Sequence, residues 1–124
     1  MAVARETGPV SSPDDDRPDP ALLERLGVAA GKVTLVQFST AFCAPCRAMR
    51  RVCADVAALL PAVRHVEVDA ESHLGEVRAL NIRRTPTLLI LGGDGRIAKR
   101  ATGVPTKAQL VAALAGLLPV SSTS

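Results

Sequence analysis

The stretch Val33-Thr34-Leu35-Val36-Gln37-Phe38-Ser39-Thr40-Ala41-Phe42-Cys43-Ala44-Pro45-Cys46-Arg47 decides how this chain reads. Val33 to Phe38 is apolar except for Thr34 and Gln37, the pattern of a strand buried on both faces in a parallel sheet. It runs straight into two cysteines that open an amphipathic helix, and a C-x-x-C beside a β-α-β pattern reads as a thiol–disulfide redox site. A thiolate at a helix N-terminus faces unpaired backbone N–H groups and the positive end of the helix dipole, which stabilise its charge. Its pKa falls and its nucleophilic form accumulates at neutral pH. Cys43, first in order, is therefore the expected attacking thiol, and Cys46, one turn on and facing the same side, is placed to resolve the mixed disulfide. Pro45 suits this first turn, where its missing N–H would find no helical partner anyway.

Outward from that junction the punctuation is regular. Met49, Val52, Cys53, Val56, Ala57 and Leu60 recur on one helical face, and Pro61 stops the helix. Val63 to Asp69 predicts a second strand, with Val66 and Val68 on one face and His65 and Glu67 on the other. Ser72 to Asn81 carries Leu74, Val77 and Leu80 over about two turns, a shorter helix with Ser72 as candidate cap. Arg84 to Leu91 reads as a strand entered through Pro86, since a residue without a ladder donor is tolerated at a strand's start. Gly92-Gly93-Asp94-Gly95 is turn chemistry and leads to a more polar strand, Arg96 to Ala101, whose Arg96, Lys99 and Arg100 blunt a sheet edge. Leu110, Val111, Leu114, Leu117 and Leu118 mark a terminal helix before Pro119. Upstream, Ala21 to Gly27 after Asp19-Pro20 is a short helix with a plausible cap and a glycine stop.

Residues 1–19, with Ser11-Ser12-Pro13, three consecutive aspartates and Pro18, hold too little apolar surface to order themselves and read as a disordered acidic, Pro-rich tail. The expected domain is 20–119, and 120–124 is a flexible C-terminal tail. A chain of 124 residues suits one domain with a core large enough to need no disulfide staple. Its 48% hydrophobic content is carried mainly by Ala, Val and Leu; Phe38 and Phe42 are the only aromatics. Stacking platforms for bases are nearly absent, and no groove-reading motif is present, so nucleic acid is not an expected partner.

The net charge of +3 is split: Glu6, Asp14, Asp15, Asp16 and Asp19 against Arg5 and Arg17 leave −3 over residues 1–20 and +6 over the rest. Arg47, Arg50 and Arg51 on the cysteine helix and Arg83 and Arg84 before Thr85-Pro86 could form a basic surface favouring acidic partners and thiolate formation. The plainer reading is a solvated arginine-rich face. The first 19 residues have no apolar core of the signal-peptide kind, and the longest apolar runs fall short of the ~20 residues of a membrane span. The sequence as written reads as soluble and cytoplasmic.

The order strand, C-x-x-C helix, strand, helix, Thr-Pro strand, hairpin strand, helix resembles the thioredoxin family over about residues 31–119. The motifs that carry it are Leu35-Val36-Gln37-Phe38, Cys43-Ala44-Pro45-Cys46-Arg47, Thr85-Pro86-Thr87, and Gly92-Gly93-Asp94-Gly95 followed by Gly103. The resemblance implies a three-layer α/β/α fold. Its central mixed sheet would have about four strands, ending in an antiparallel hairpin strand, and the family's first strand would be shortened or missing because residues 21–30 leave no room for it. Cys43 then corresponds to the nucleophile and Cys46 to the resolving cysteine. Pro86 corresponds to a cis-proline whose loop offers backbone hydrogen bonds to an extended substrate, a strand-addition mode. Phe42, Thr85 and Gly103 fall at substrate-binding positions.

The departures are as informative. Phe42 stands where the family has Trp, keeping apolar cover but losing an indole donor. Ala44 replaces a Gly. Gln37 stands where the family has a buried carboxylate that assists deprotonation of the resolving cysteine, and strand counting puts His65 near that carboxylate's lysine partner. Gln37 and His65, or a water, are thus the candidate proton relay. The implied function is a thiol–disulfide oxidoreductase that reduces protein disulfides. It needs no cofactor beyond the Cys43–Cys46 redox pair, and its partners are disulfide-containing proteins and a recharging reductase. It is expected to act as a monomer. Gln37 favours the alternative of a redox-sensing or partner-binding module with little turnover. Zinc would need a second short-spaced ligand pair, which Cys53, His65 and His73 do not supply. Cys53 lies roughly 10 Å along the helix from Cys46, beyond a disulfide's span, and reads as a buried small hydrophobe.

Overall fold

The structure, a computed structural model, describes residues 17–118. The acidic segment up to Asp16 and the end from Pro119 lie outside the described residues. In chain order the elements are α1 (Pro20–Arg25), β1 (Val33–Ser39), α2 (Ala44–Leu59), β2 (Val63–Asp69), a 3-10 turn (Ala70–Ser72), α3 (Leu74–Ala79), β3 (Thr87–Leu91), β4 (Ile97–Thr102) and α4 (Lys107–Ala115). The sheet runs β2-β1-β3-β4. β1 pairs parallel with β2 from Val33↔Val63 to Ser39↔Asp69 and antiparallel with β3, which pairs antiparallel with β4. This is the mixed four-strand α/β sheet implied by the resemblance, and β1 is the first strand among the described residues.

All seven residues of β1 are buried, as a central strand covered on both faces requires. Its period of two divides them between two cores. Val36 and Phe38 join Val68, Leu89 and Leu91 against Leu22, Leu23, Leu26, Leu80 and Ile82, from the α1 and α3 side. Val33 and Leu35 join Val63, Leu88 and Ile90 against Met49, Cys53 and Val56 of α2 and Leu110 and Leu114 of α4. Gln37 has the parity of Leu35, so it lies on the α2 face. That parity turns its amide toward the Cys46 carbonyl of α2.

Local chemistry sets the boundaries. Asp19 caps α1 by accepting from the Ala21 N–H at 2.9 Å, and Pro20 opens the helix. Arg17, just ahead of α1, donates to the Asp94 carbonyl in the Gly92–Gly95 turn at 3.0 Å. Ser72 does not cap α3: it belongs to the 3-10 turn and donates to Asp69 at 2.8 Å, and His73 holds the N-cap position without a side-chain capping bond, its ring nitrogen Nδ1 lying 3.1 Å from the Asp69 carbonyl instead. The competing acceptor, Asp69, won the hydroxyl. β3 begins at Thr87 rather than before Pro86, and β4 begins at Ile97 because Arg96 is spent closing the turn, where the Gly92 N–H donates to its carbonyl at 2.9 Å. Gly95 in that turn has φ +86, a conformation that favours glycine. α4 starts earlier than its leucines suggest, at a capping box in which the Thr106 hydroxyl accepts from the Gln109 N–H and the Gln109 side chain accepts from the Thr106 N–H. It ends at Ala115, before Pro119 is reached.

Candidate active site

Cys43 is the N-cap of α2, extended at φ −116° and ψ 103°, and Cys46 completes the first turn. The two are joined in a disulfide with their Cα atoms 5.2 Å apart. The Cys46 N–H points at Cys43 Sγ at 3.1 Å, so the sulfur occupies the place an Asp or Ser oxygen fills in an ordinary cap. Cys43 is half-buried, whereas Cys46 is only 1% exposed. One sulfur faces visitors and the other faces the core. Cys53, two turns deeper, is fully buried, and burial pushes its thiol up to about 12, with the Glu67 charge adding to the effect. It remains a protonated hydrophobe.

Beneath the disulfide lies Gln37, with no exposed surface. Its Nε2 donates to the Cys46 carbonyl at 2.8 Å and to Ser39 Oγ at 2.9 Å, and its Oε1 meets His65 Nε2 at 3.0 Å. A carbonyl can only accept, so the amide nitrogen must face Cys46 and the oxygen must face the imidazole. His65 is therefore the donor at Nε2, and its basic nitrogen is Nδ1. The β1–β2 register, which pairs Leu35 with His65 and Gln37 with Glu67, creates this cluster. Two residues 28 apart in sequence meet on one face.

Glu67 closes the cluster toward solvent. Arg50 of α2 grips its carboxylate with two bonds of 2.6 and 2.8 Å. That grip, with Ser39 adding to it, holds the carboxyl below its ordinary range. Burial lowers the His65 pKa, opposed by Glu67 and aided by Arg50. The native state thus takes up this proton less readily than the unfolded chain, whose histidine titrates near ~6.5. His65 contributes stability above that value and the contribution is lost as pH falls through the lower folded value. Between pH 7.5 and 5.5 the urea midpoint of the wild type should fall further than that of His65→Gln; parallel slopes would refute the assignment.

The third wall is the loop into β3. The Thr85–Pro86 peptide is cis, and Pro86 is buried. The hydroxyls of Thr85 and Thr40 lie 3.3 Å apart, tying this loop to the segment that leads into Cys43. The Gly103 N–H donates to the Pro86 carbonyl at 3.4 Å, with Gly103 at φ +91. Phe42 stands out fully exposed at φ +59, and Val104 is also exposed. The structure thus brings Phe42, Cys43, Cys46, Thr85, Pro86 and Gly103 to one end of the sheet and puts Gln37 and His65 directly below. Thr40, Ser39 and the Arg50–Glu67 pair were not singled out from the sequence. For Ser39 and Glu67 the signal was available in strand parity once β1 and β2 are aligned. No group of three or more His, Cys, Asp or Glu that could hold a metal occurs among the described residues, and no helix of theirs is long and apolar enough to cross a membrane.

Comparison with known proteins agrees with this geometry. A family model described as thioredoxin matches residues 25–116. A thioredoxin of Chlamydia trachomatis is 33% identical over 84 residues, covering 68% of this chain and 80% of that one. A thioredoxin sequence of Arabidopsis thaliana is 34% identical over 76 residues, 61% of this chain, and the chain spans about half, 49%, of that relative's length. Among solved structures, chloroplastic thioredoxin z superposes with a TM-score of 0.67 at 24% identity, covering 82% of this chain and 92% of that one. Match, disulfide position and sheet order converge: the chain belongs to the thioredoxin family.

Proposed function

We propose that this chain reduces protein disulfides by thiol–disulfide exchange at Cys43 and Cys46. The observation that carries the reading is the asymmetry of the pair: Cys43 is accessible at a helix N-cap with an N–H aimed at its sulfur, while Cys46 is hidden beneath it. In the reduced protein the Cys43 thiolate attacks one sulfur of a substrate disulfide, forming a mixed disulfide and expelling the other sulfur as thiolate. Cys46, deprotonated, then attacks Cys43 Sγ, closes the intramolecular disulfide and releases the second substrate thiolate. Two electrons pass to the substrate, and a dithiol reductant or a reductase returns the pair to its thiol form.

Substrate binding fits the wall opposite the thiols. The Thr85 N–H and carbonyl have no hydrogen-bond partner among the described residues, which leaves them open to an extended segment laid alongside. Phe42 and Val104, both exposed, are available for apolar contact with it. The proton of Cys46 is the step that lacks a carboxylate. Because the His65 Nε2–H is committed to Gln37, a proton bound for His65 travels by water to Nδ1 rather than along the Gln37 bond. An unchanged resolution rate in His65→Gln would remove this relay. The neutral Gln37 amide also favours a second reading, a sensing or partner-binding module with slow turnover.

The two readings separate on the reduced protein. Alkylation of Cys43 followed across pH should give a pKa below the ~8.5 of a free thiol, together with rapid reduction of insulin disulfides. An unshifted Cys43 and no reduction by a folded protein would transfer the weight to the binding module.

A further inference from the structure

Resting on the disulfide chemistry proposed above, we infer that the site selects disulfides flanked by acidic residues, through Arg83 and Arg84 beside the cis-proline loop and Arg47 beside Cys46. All three side chains are exposed. None is in an ion pair among the described residues, where the pairs formed are Arg17–Asp94, Arg25–Glu76, Arg50–Glu67, Arg96–Asp94 and Lys107–Asp55.

The carboxylates at this end of the sheet are largely committed elsewhere. Glu67 is clamped by Arg50, and Asp69 turns into its own loop, accepting from the Glu71 N–H at 3.1 Å and the Ser72 hydroxyl at 2.8 Å. Glu71 is exposed and forms no ion pair with any of the three arginines among the described residues. Asp69 and Glu71 keep their charges, but the three guanidiniums outnumber them and none is held in an ion pair among the described residues, which leaves the balance positive where a substrate must lie.

Placement makes the charge selective. Arg84 immediately precedes Thr85, whose open backbone groups face an incoming strand, and Arg83 is its neighbour on the same loop. Arg47 immediately follows Cys46 on α2. A segment paired with Thr85 and carrying its cysteine to Cys43 has its flanking residues bracketed by these guanidiniums. They favour carboxylates and repel lysines in both the encounter and the mixed disulfide. A cavity of about 220 Å³ lined by Ala70, Val77, Ile82, Arg83, Arg84 and Thr85 gives the flanking side chain somewhere to rest.

The test uses the full chain, pre-reduced with dithiothreitol and freed of it, and two disulfide-bridged peptides identical except for aspartates or lysines beside the cysteines. Single-turnover rates should favour the acidic peptide about tenfold at low salt, with the ratio falling toward one at ~0.5 M salt as the charges are screened. In Arg83→Gln/Arg84→Gln the ratio should collapse. In Lys32→Gln/Arg64→Gln, which removes the same charge from the far end of β1 and β2, it should persist. Arg47→Gln gives an independent variant should the double replacement fail to fold. Equal rates for both peptides with the native protein, or a ratio equally lost in the remote variant, would overturn the selection while leaving disulfide reduction standing. Absence of Cys43-dependent turnover of either peptide would overturn both.

Discussion

Cys43→Ser should lower insulin disulfide reduction more than about a thousandfold, because a serine hydroxyl cannot form the mixed disulfide through which the proposed reaction passes. Cys46→Ser should fail differently. Its Cys43 keeps the helix N-cap position that stabilises the thiolate, so the first attack still occurs. With no second thiol below, the substrate stays covalently bound and turnover stops after one equivalent. Mass spectrometry of each variant after exposure to an excess of a disulfide peptide reads the difference directly: an adduct on Cys46→Ser, none at the site of Cys43→Ser. An adduct on both variants at equal rate would mean that the two sulfurs are equally accessible, against a Cys46 that is 1% exposed. The asymmetry of burial, not the presence of two cysteines, is what this pair of variants examines.

Gln37→Leu should destabilise the fold by about 3 kcal/mol, although leucine matches glutamine in size and suits a buried strand. The replacement removes the donors to the Cys46 carbonyl and Ser39 Oγ and the acceptor of the His65 Nε2–H. Buried groups left without partners cost about 1–3 kcal/mol each, with His65 and Ser39 able to recover part of the loss. In a domain of this size that corresponds to a melting temperature lower by about 15 °C. Gln37→Glu keeps the shape but loses both N–H donors, and its carboxyl would meet the Cys46 carbonyl as acceptor against acceptor unless protonated. Its stability should therefore improve as pH falls, the reverse of the His65 effect. Urea unfolding at pH 7.5 and 5.5 measures both, and a Gln37→Leu midpoint within about 0.5 kcal/mol of wild type would show that the amide bonds contribute nothing net. The wild-type fold leaves no buried side-chain nitrogen or oxygen unpaired among the described residues, which is the condition this substitution breaks.

Much of this was legible from local chemistry. The six strand residues Val33 to Phe38, followed closely by Cys43-Ala44-Pro45-Cys46, located the redox pair and the strand–helix junction, because a buried strand and a helix start are both written in short-range pattern. Thr85-Pro86 and the Gly92 to Gly95 turn located the opposite wall and the hairpin for the same reason. Boundaries that depend on competition between nearby groups were less legible. Ser72 has the chemistry of a cap but gave its hydroxyl to Asp69, and α4 begins at a Thr106–Gln109 box that an apolar stripe does not reveal.

What the sequence by itself determined is therefore the type of chemistry and the candidate residues for it, through composition, parity and spacing along one stretch of chain. What only the tertiary structure decided is what surrounds those residues. The β1–β2 register placed His65 against Gln37, the packing of α2 on the sheet put the Gln37 amide on the Cys46 carbonyl and Arg50 on Glu67, and the loop into β3 set the Thr85 hydroxyl beside that of Thr40, ahead of Cys43. These contacts join residues nine or more positions apart in the chain, and their free energy depends on distances of a few ångströms that no local pattern specifies. The orientation of one buried amide, and with it the basic nitrogen of His65, follows from such contacts alone.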